Sequence, residues 1–149
     1  MTKEEIIKHY KTIFDCEQFV VTGSYALQRY GLLDKSDDLD LIIVNPKKET
    51  TELIQRLVKE QPSKTSGSGN PYIFQHGEIK IDVFVLTQKI VSIKLEEGFE
   101  LSTIKRIVDE KKKMNRSKDW IQLVEVARKI VTTSEIENYL LKTISYNEH

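Results

Sequence analysis

The sequence predicts an α/β (α+β) fold, a mixed β-sheet flanked by helices with a helical C-terminal part. Three observations carry this. Short runs rich in β-branched residues, at Phe19–Val21, Leu41–Val44 and Ile79–Leu86, alternate with segments whose apolar residues recur at helical spacing. Turn signals separate them, at Gly23-Ser24, Asn45-Pro46 and His76-Gly77. From about residue 101 onward the chain reads as helix only.

The elements follow in order. Residues 3–14 form an amphipathic helix with Ile6, Ile7, Tyr10, Ile13 and Phe14 on one side, and His9, among lysines, on the surface. A strand at about 18–22 leads through Gly23-Ser24 into a short helix at 24–30, and Gly31 is its C-cap. After a polar loop, a strand covers about 39–44. Residues 49–60 are a helix burying Leu53, Ile54, Leu57 and Val58. Pro62–Pro71 reads as a surface loop, with an active-site lid as the alternative. Residues 72–75 and 78–86 make a hairpin, with His76 at its turn in a structural or solvated role. Residues 90–95 are an edge strand. Ser102 then caps a helix reaching about Met114. Two closing helices are expected, at 118–131 and 135–144, the second opened by a Ser134/Glu137 capping box. Their buried stripes are Trp120, Leu123, Val124, Ala127 and Ile130, then Tyr139, Leu140 and Ile144.

At 149 residues the chain reads as one domain over 1–149, with a core at about 17–95 and a C-terminal helical part at about 101–145. Hydrophobic residues at 39% and charged residues at 31% describe an ordinary globular protein. Lys+Arg 23 balances Asp+Glu 23, so no overall basic pull toward nucleic acid exists, although a local patch stays open. The single Cys16 rules out an internal disulfide framework and suits a reducing compartment. No apolar run approaches the ~20 residues that span a bilayer, and the N-terminus lacks a signal-peptide core. The expected location is cytoplasmic, without a membrane partner.

Chemistry concentrates in a few acids. Asp38 and Asp40 lie two apart beside an apolar strand, so they face the same way. Like charges there repel, and their desolvation costs several kcal/mol by rough estimate unless a cation intervenes. Mg²⁺ suits such oxygen donors. The plain alternative starts the strand at Leu41 and leaves both aspartates solvated. Asp82, inside Ile79–Leu86, is a lone acid in an apolar strand and poses the same problem. Gly23-Ser24 allows close backbone approach at a helix start that favours anions, though Ser24 could equally be a simple N-cap. Lys111 to Asp119 read plainly as a solvated basic helix end, which suits the helix dipole.

Gly23-Ser24, Ser36-Asp37-Asp38-Leu39-Asp40 and Ile81-Asp82-Val83 together resemble the nucleotidyltransferase superfamily, the DNA polymerase β-like group. The resemblance is to small prokaryotic members, including abortive-infection toxin types, and covers roughly residues 17–123. It implies a nucleotidyltransferase-like sheet and Mg-dependent transfer of a nucleoside monophosphate from an NTP to an acceptor hydroxyl. By resemblance Asp38, Asp40 and Asp82 are the catalytic acids and hold Mg²⁺, with Mn²⁺ as the alternative. Gly23 and Ser24 hold the triphosphate, so the chain is expected to bind nucleotide, ATP among the candidates. Lys111, Arg116, Lys118 and Asp119 match a Lys, four residues, Arg, one residue, Lys-Asp signature of the C-terminal part. This assigns Lys111 and Arg116 to nucleotide binding. Many relatives carry a further Asp where this chain has Gln122.

The acceptor implied is a tRNA, a protein or a small molecule. A toxin–antitoxin setting would add a partner protein. From a different class comes a catalytically silent binding or regulatory module that keeps the fold, and a partner-binding antitoxin-like protein is a further alternative. Binding of NTP and Mg²⁺ together separates enzyme from module.

Overall fold

The apolar runs pair into a six-stranded mixed sheet in a computed structural model that describes residues 1–65 and 69–147, and side-chain surroundings as far as residue 143. In chain order the elements are α1 Lys3–Ile13, β1 Gln18–Thr22, α2 Gly23–Arg29, β2 Leu39–Val44 and α3 Lys48–Glu60. Then come β3 Tyr72–His76, β4 Ile79–Leu86, β5 Ser92–Lys94, β6 Glu100–Ser102, α4 Ile104–Met114 and α5 Ser117–Asn147. The strand order is β3-β4-β2-β1-β6-β5. β2 lies inside the sheet, antiparallel to β1 and parallel to β4. The α/β expectation therefore holds.

Side chains alternate across the strands, and this divides the sheet into two unlike faces. Val21, Leu39, Leu41, Ile43, Ile81 and Val83 share the main core with Ile6, Ile7 and Tyr10 of α1 and Ile54 of α3. Each such aliphatic side chain contributes about 1.5–3 kcal/mol on burial. The opposite face carries a smaller apolar cluster of Val20, Ile42 and Val44, with Phe84 and Leu86 against it. The same face continues through Thr22, Asp40 and Asp82. The main core lies on one face, and Asp40 and Asp82 lie on the other.

Several expectations are corrected. β6 was not foreseen: Glu100–Ser102 enters the sheet beside β1, parallel to it, with Val20 opposite Glu100. Three residues are too few to display a periodicity, and the pairing comes from β1. Ser102 therefore ends a strand, and Thr103 caps α4 by accepting the Arg106 amide at 3.2 Å. The two closing helices are one, because no Gly or Pro follows Gly98 to stop it. The supposed second cap region lies mid-helix, where Thr133 donates to the Lys129 carbonyl at 2.9 Å.

The stripes expected to be buried on these helices are largely exposed. Trp120, Val124, Ile130, Tyr139 and Leu140 face solvent, and Val126 is the buried contact. The surroundings of Ile144 lie outside the described residues. Ile13 also turns out exposed. The stem of the 62–71 loop is anchored, since the Asn70 side chain exchanges hydrogen bonds with the Val85 backbone at 2.9 and 3.0 Å. Its tip, residues 66–68, lies outside the described residues, and the lid reading with it. His76 is structural, with Nδ1 2.6 Å from the Tyr10 hydroxyl.

The cap assignment predicts a difference between neighbours. Thr103→Ala should cost about 1 kcal/mol in urea denaturation, the usual loss of an N-cap. Ser102→Ala should be near neutral, because its hydroxyl is buried without a hydrogen-bond partner. Equal losses for the two variants would contradict the assignment.

Candidate active site

The floor of the site is set by strand register. Thr22 pairs with Asp40 across β1 and β2, and Asp40 pairs with Asp82 across β2 and β4. All three side chains face away from the main core, so two carboxyls meet on adjacent strands. Immediately after Thr22 the chain turns through Gly23 at φ +70, a conformation that L side chains rarely adopt. A Cβ there would lie 2.0 Å from the Asp40 Oδ2. Glycine is required twice, by backbone angle and by the carboxylate that fills the space.

Asp38, two residues before Asp40, is engaged by a cation that the sequence reading did not assign. Lys80 Nζ lies 3.4 Å from Asp38 Oδ2 and 3.8 Å from Asp82 Oδ1. Lys80 precedes Asp82 by two on β4, so the period-2 rule could have found it. Crowding of acids has the expected electrostatic result. Desolvation first, then the charges of Asp82 and Asp38, push the Asp40 carboxyl up to about 7. Burial also raises Asp82, against the lowering effect of Lys80.

The opposite wall comes from α4 and the start of α5. Asn115, in the left-handed conformation at φ 52, ends α4 and lets the chain turn back. Asp119 is fully buried and gathers the basic residues around it. Arg116 Nε reaches Asp119 Oδ2 at 2.8 Å, a second guanidinium nitrogen reaches Oδ1 at 3.1 Å, and Lys111 Nζ lies 3.6 Å away. Burial pushes the Asp119 carboxyl up, but its bonds from Arg116 and the charge of Lys111 outweigh this and hold it low. Burial lowers the Lys111 pKa in turn. Gln122 accepts from Lys111 at 2.6 Å, so the departure from the signature supplies a neutral acceptor for the same lysine.

Between floor and wall lies a cavity of about 330 Å³. Gly23, Ser24, Asp38, Asp40, Asp82, Lys111 and Arg116, all seven of the candidate residues, line it. Ile42, Phe84 and Leu86 add an apolar shelf, which continues the strand faces that carry Asp40 and Asp82, and Met114 adds an apolar group from α4. β2 begins at Leu39 rather than Leu41, so Asp40 sits inside the strand, while Asp38 lies just before it and stays partly exposed.

The residues fit a hard divalent cation in part. Asp40 and Asp82 offer adjacent carboxyl oxygens, and Asp82 Oδ1 is buried without a hydrogen-bond partner. Asp38 is turned to Lys80, and among the described residues no three His, Cys, Asp or Glu side chains gather closely enough to hold a metal. The expected convergence of three acids is therefore a pair in contact, with the third held by a lysine.

The raised Asp40 pKa predicts a pH-dependent stability. Its folded value of about 7 exceeds the ordinary 3.8, so the folded protein keeps a proton that the unfolded chain releases. The associated stability is present below about pH 4 and is lost as pH rises through about 7. Asp40→Asn removes this loss. Thermal denaturation should find it equal to wild type near pH 4 and more stable by about 1–3 kcal/mol at pH 8. A constant difference across that range would overturn the cause assigned here.

No protein-family model matches the chain, and no curated protein sequence does. Among solved structures, the chain is similar to a candidate nucleotidyltransferase from Thermotoga maritima, determined at 1.87 Å resolution. The two share 16% identity over 89% of this chain and 96% of the other, with a TM-score of 0.44.

Proposed function

We propose that this protein is a metal-dependent nucleotidyltransferase, moving a nucleoside monophosphate from an NTP to an acceptor hydroxyl. The observation that carries the reading is the pairing of Asp40 with Asp82 on adjacent strands, across one cavity from Lys111 and Arg116. Acids on one side and bases on the other suit a substrate that brings both a cation and a polyphosphate. The motif resemblance of Gly23-Ser24, Asp38-Leu39-Asp40 and Asp82 points to the same chemistry.

In this reaction the acceptor oxygen forms a bond to the α-phosphorus, the bond from that phosphorus to the bridging oxygen breaks, and pyrophosphate leaves. Lys111 and Arg116 would bind the phosphates, positioned by Asp119. Thr22, the N-cap of α2, makes no side-chain cap bond, so the adjacent Gly23 and Ser24 amides are candidates for phosphate oxygens. The shelf of Ile42, Phe84 and Leu86 would take the base. Asp82, whose pKa burial raises, would accept the proton of the attacking hydroxyl. Mg²⁺ or Mn²⁺, held by Asp40 and Asp82 and by Asp38 once released from Lys80, would supply charge neutralisation at the phosphates. The acceptor class, whether tRNA, protein or small molecule, is open, as is a toxin–antitoxin partner.

One observation favours a second reading. Lys80, between Asp38 and Asp82, already supplies a positive charge to the acids. A silent module could use that lysine in place of a metal.

Transfer of labelled α-phosphate from each NTP onto cellular RNA and protein tests the first reading. Wild type should label an acceptor, and Asp40→Asn should label it at least about a hundredfold more slowly. Ser24→Ala should act mainly on NTP binding, because the backbone amides remain. Equal labelling by wild type and Asp40→Asn would remove the catalytic role. No labelling, and no thermal stabilisation by NTP with Mg²⁺, would favour the silent module.

A further inference from the structure

Helix α5 leaves an unusual surface uncovered. Its first turns pack on the body through Asp119 and Val126, while the opposite side faces solvent along the helix. On that side Ile121 is 70% exposed, Val124 48%, Val131 55% and Tyr139 70%. Arg128 and Glu135 are exposed among them. These six residues recur at spacings of three and four, so they form one stripe. From Ile121 to Tyr139 it runs about 27 Å. A helix with this much apolar surface away from the core marks an interaction site.

The charges on the stripe select the occupant. Val124 precedes Arg128 by the same four residues that separate Glu135 from Tyr139. When two copies of the stripe lie antiparallel, the register that sets Arg128 against Glu135 also sets Val124 against Tyr139. Both pairings occur twice, because the arrangement has two-fold symmetry. Val131 then lies at the centre beside its own copy, and Ile121 meets the aliphatic stem of Lys142 at each end. A parallel pair would instead set Arg128 against Arg128 and Glu135 against Glu135. The stripe is self-complementary in one direction only.

We propose that α5 is a homodimerisation element, pairing antiparallel with α5 of a second copy about a two-fold axis near Val131. Reciprocal Arg128–Glu135 ion pairs fix the register, and the exposed aliphatic and aromatic side chains supply the burial. This inference stands apart from the proposed chemistry, because none of the six residues lines the cavity.

Sedimentation equilibrium on the full chain provides the test. Wild type should be dimeric at about 100 µM, with dissociation on dilution. Arg128→Glu and Glu135→Arg should each weaken the dimer at least about tenfold, and the double exchange should restore it. Val131→Asp should give a monomer with an unchanged circular dichroism spectrum and the melting point of wild type diluted until it dissociates, since the residue is exposed in one copy. A monomeric wild type at that concentration would overturn the proposal. So would a dimer indifferent to Arg128→Glu, or a double exchange that fails to restore pairing. A wild-type monomer that instead captures a different protein would assign the stripe to another partner and overturn the proposal equally.

Discussion

The site depends on one mutual exclusion. Asp40 Oδ2 occupies the space where a side chain at position 23 would begin, 2.0 Å from an ideal Cβ. The turn that launches α2 and the carboxyl in the middle of the sheet therefore cannot be altered independently. β1 fixes Thr22 against Asp40, and β4 fixes Asp82 against Asp40. A strand slip of one residue would reverse every side chain and send these groups into the apolar core. The hydrophobic pattern of the sheet thus guards the register of the acids, although no acid contributes to that pattern. Leu39, Leu41 and Ile43, all fully buried, hold Asp40 in place by being on the other face.

Charge in the cavity is arranged rather than balanced at random. The floor concentrates carboxyls, and Lys80 is the local answer to them from the same strand face. The wall concentrates cations, and buried Asp119 is the answer to those. Lys80 and Asp119 offset only part of the charge around them, and Arg106, Glu110 and Lys118 add further charges along the wall. Such a field persists because a pocket partly walled by apolar groups screens it poorly. Burial is the first cause of both the raised Asp40 carboxyl and the lowered Lys111 amine, with the charges of Asp82 and Asp38 adding to the first and those of Asp119 and Asp40 opposing the second.

α5 connects this electrostatic wall to the outer surface. Its first two turns carry Asp119 and Gln122 to the site, and its continuation beyond Lys129, which pairs with Asp34, leaves the body behind. Continuity of the helix matters for both ends. Thr132, Thr133 and Ser134 are residues that favour helix caps, yet nothing in the chain beyond them forces a stop, and Thr133 satisfies its hydroxyl on the preceding turn. The outer stripe and the cavity wall therefore belong to one rigid element.

Much of the fold was legible because it rests on local pattern. Alternating apolar runs marked β1, β2 and the β3–β4 hairpin, and Gly23 and Asn45-Pro46 marked their ends. Asp38, Asp40 and Asp82 stood out because acids in or beside apolar strands are costly wherever they lie. Local pattern could not reveal β6, whose three residues are a strand only because β1 offers an edge. Nor could it separate buried from exposed on α5, since an apolar helix face reads alike whether the body or a second chain covers it. Tertiary structure alone decided that Val126 rather than Val124 meets the core, that Lys80 reaches Asp38, and that Lys111 of α4 reaches Asp119 of α5. Those facts depend on which elements end up side by side, and spacing along a chain records neighbours within an element, not across the gap between two.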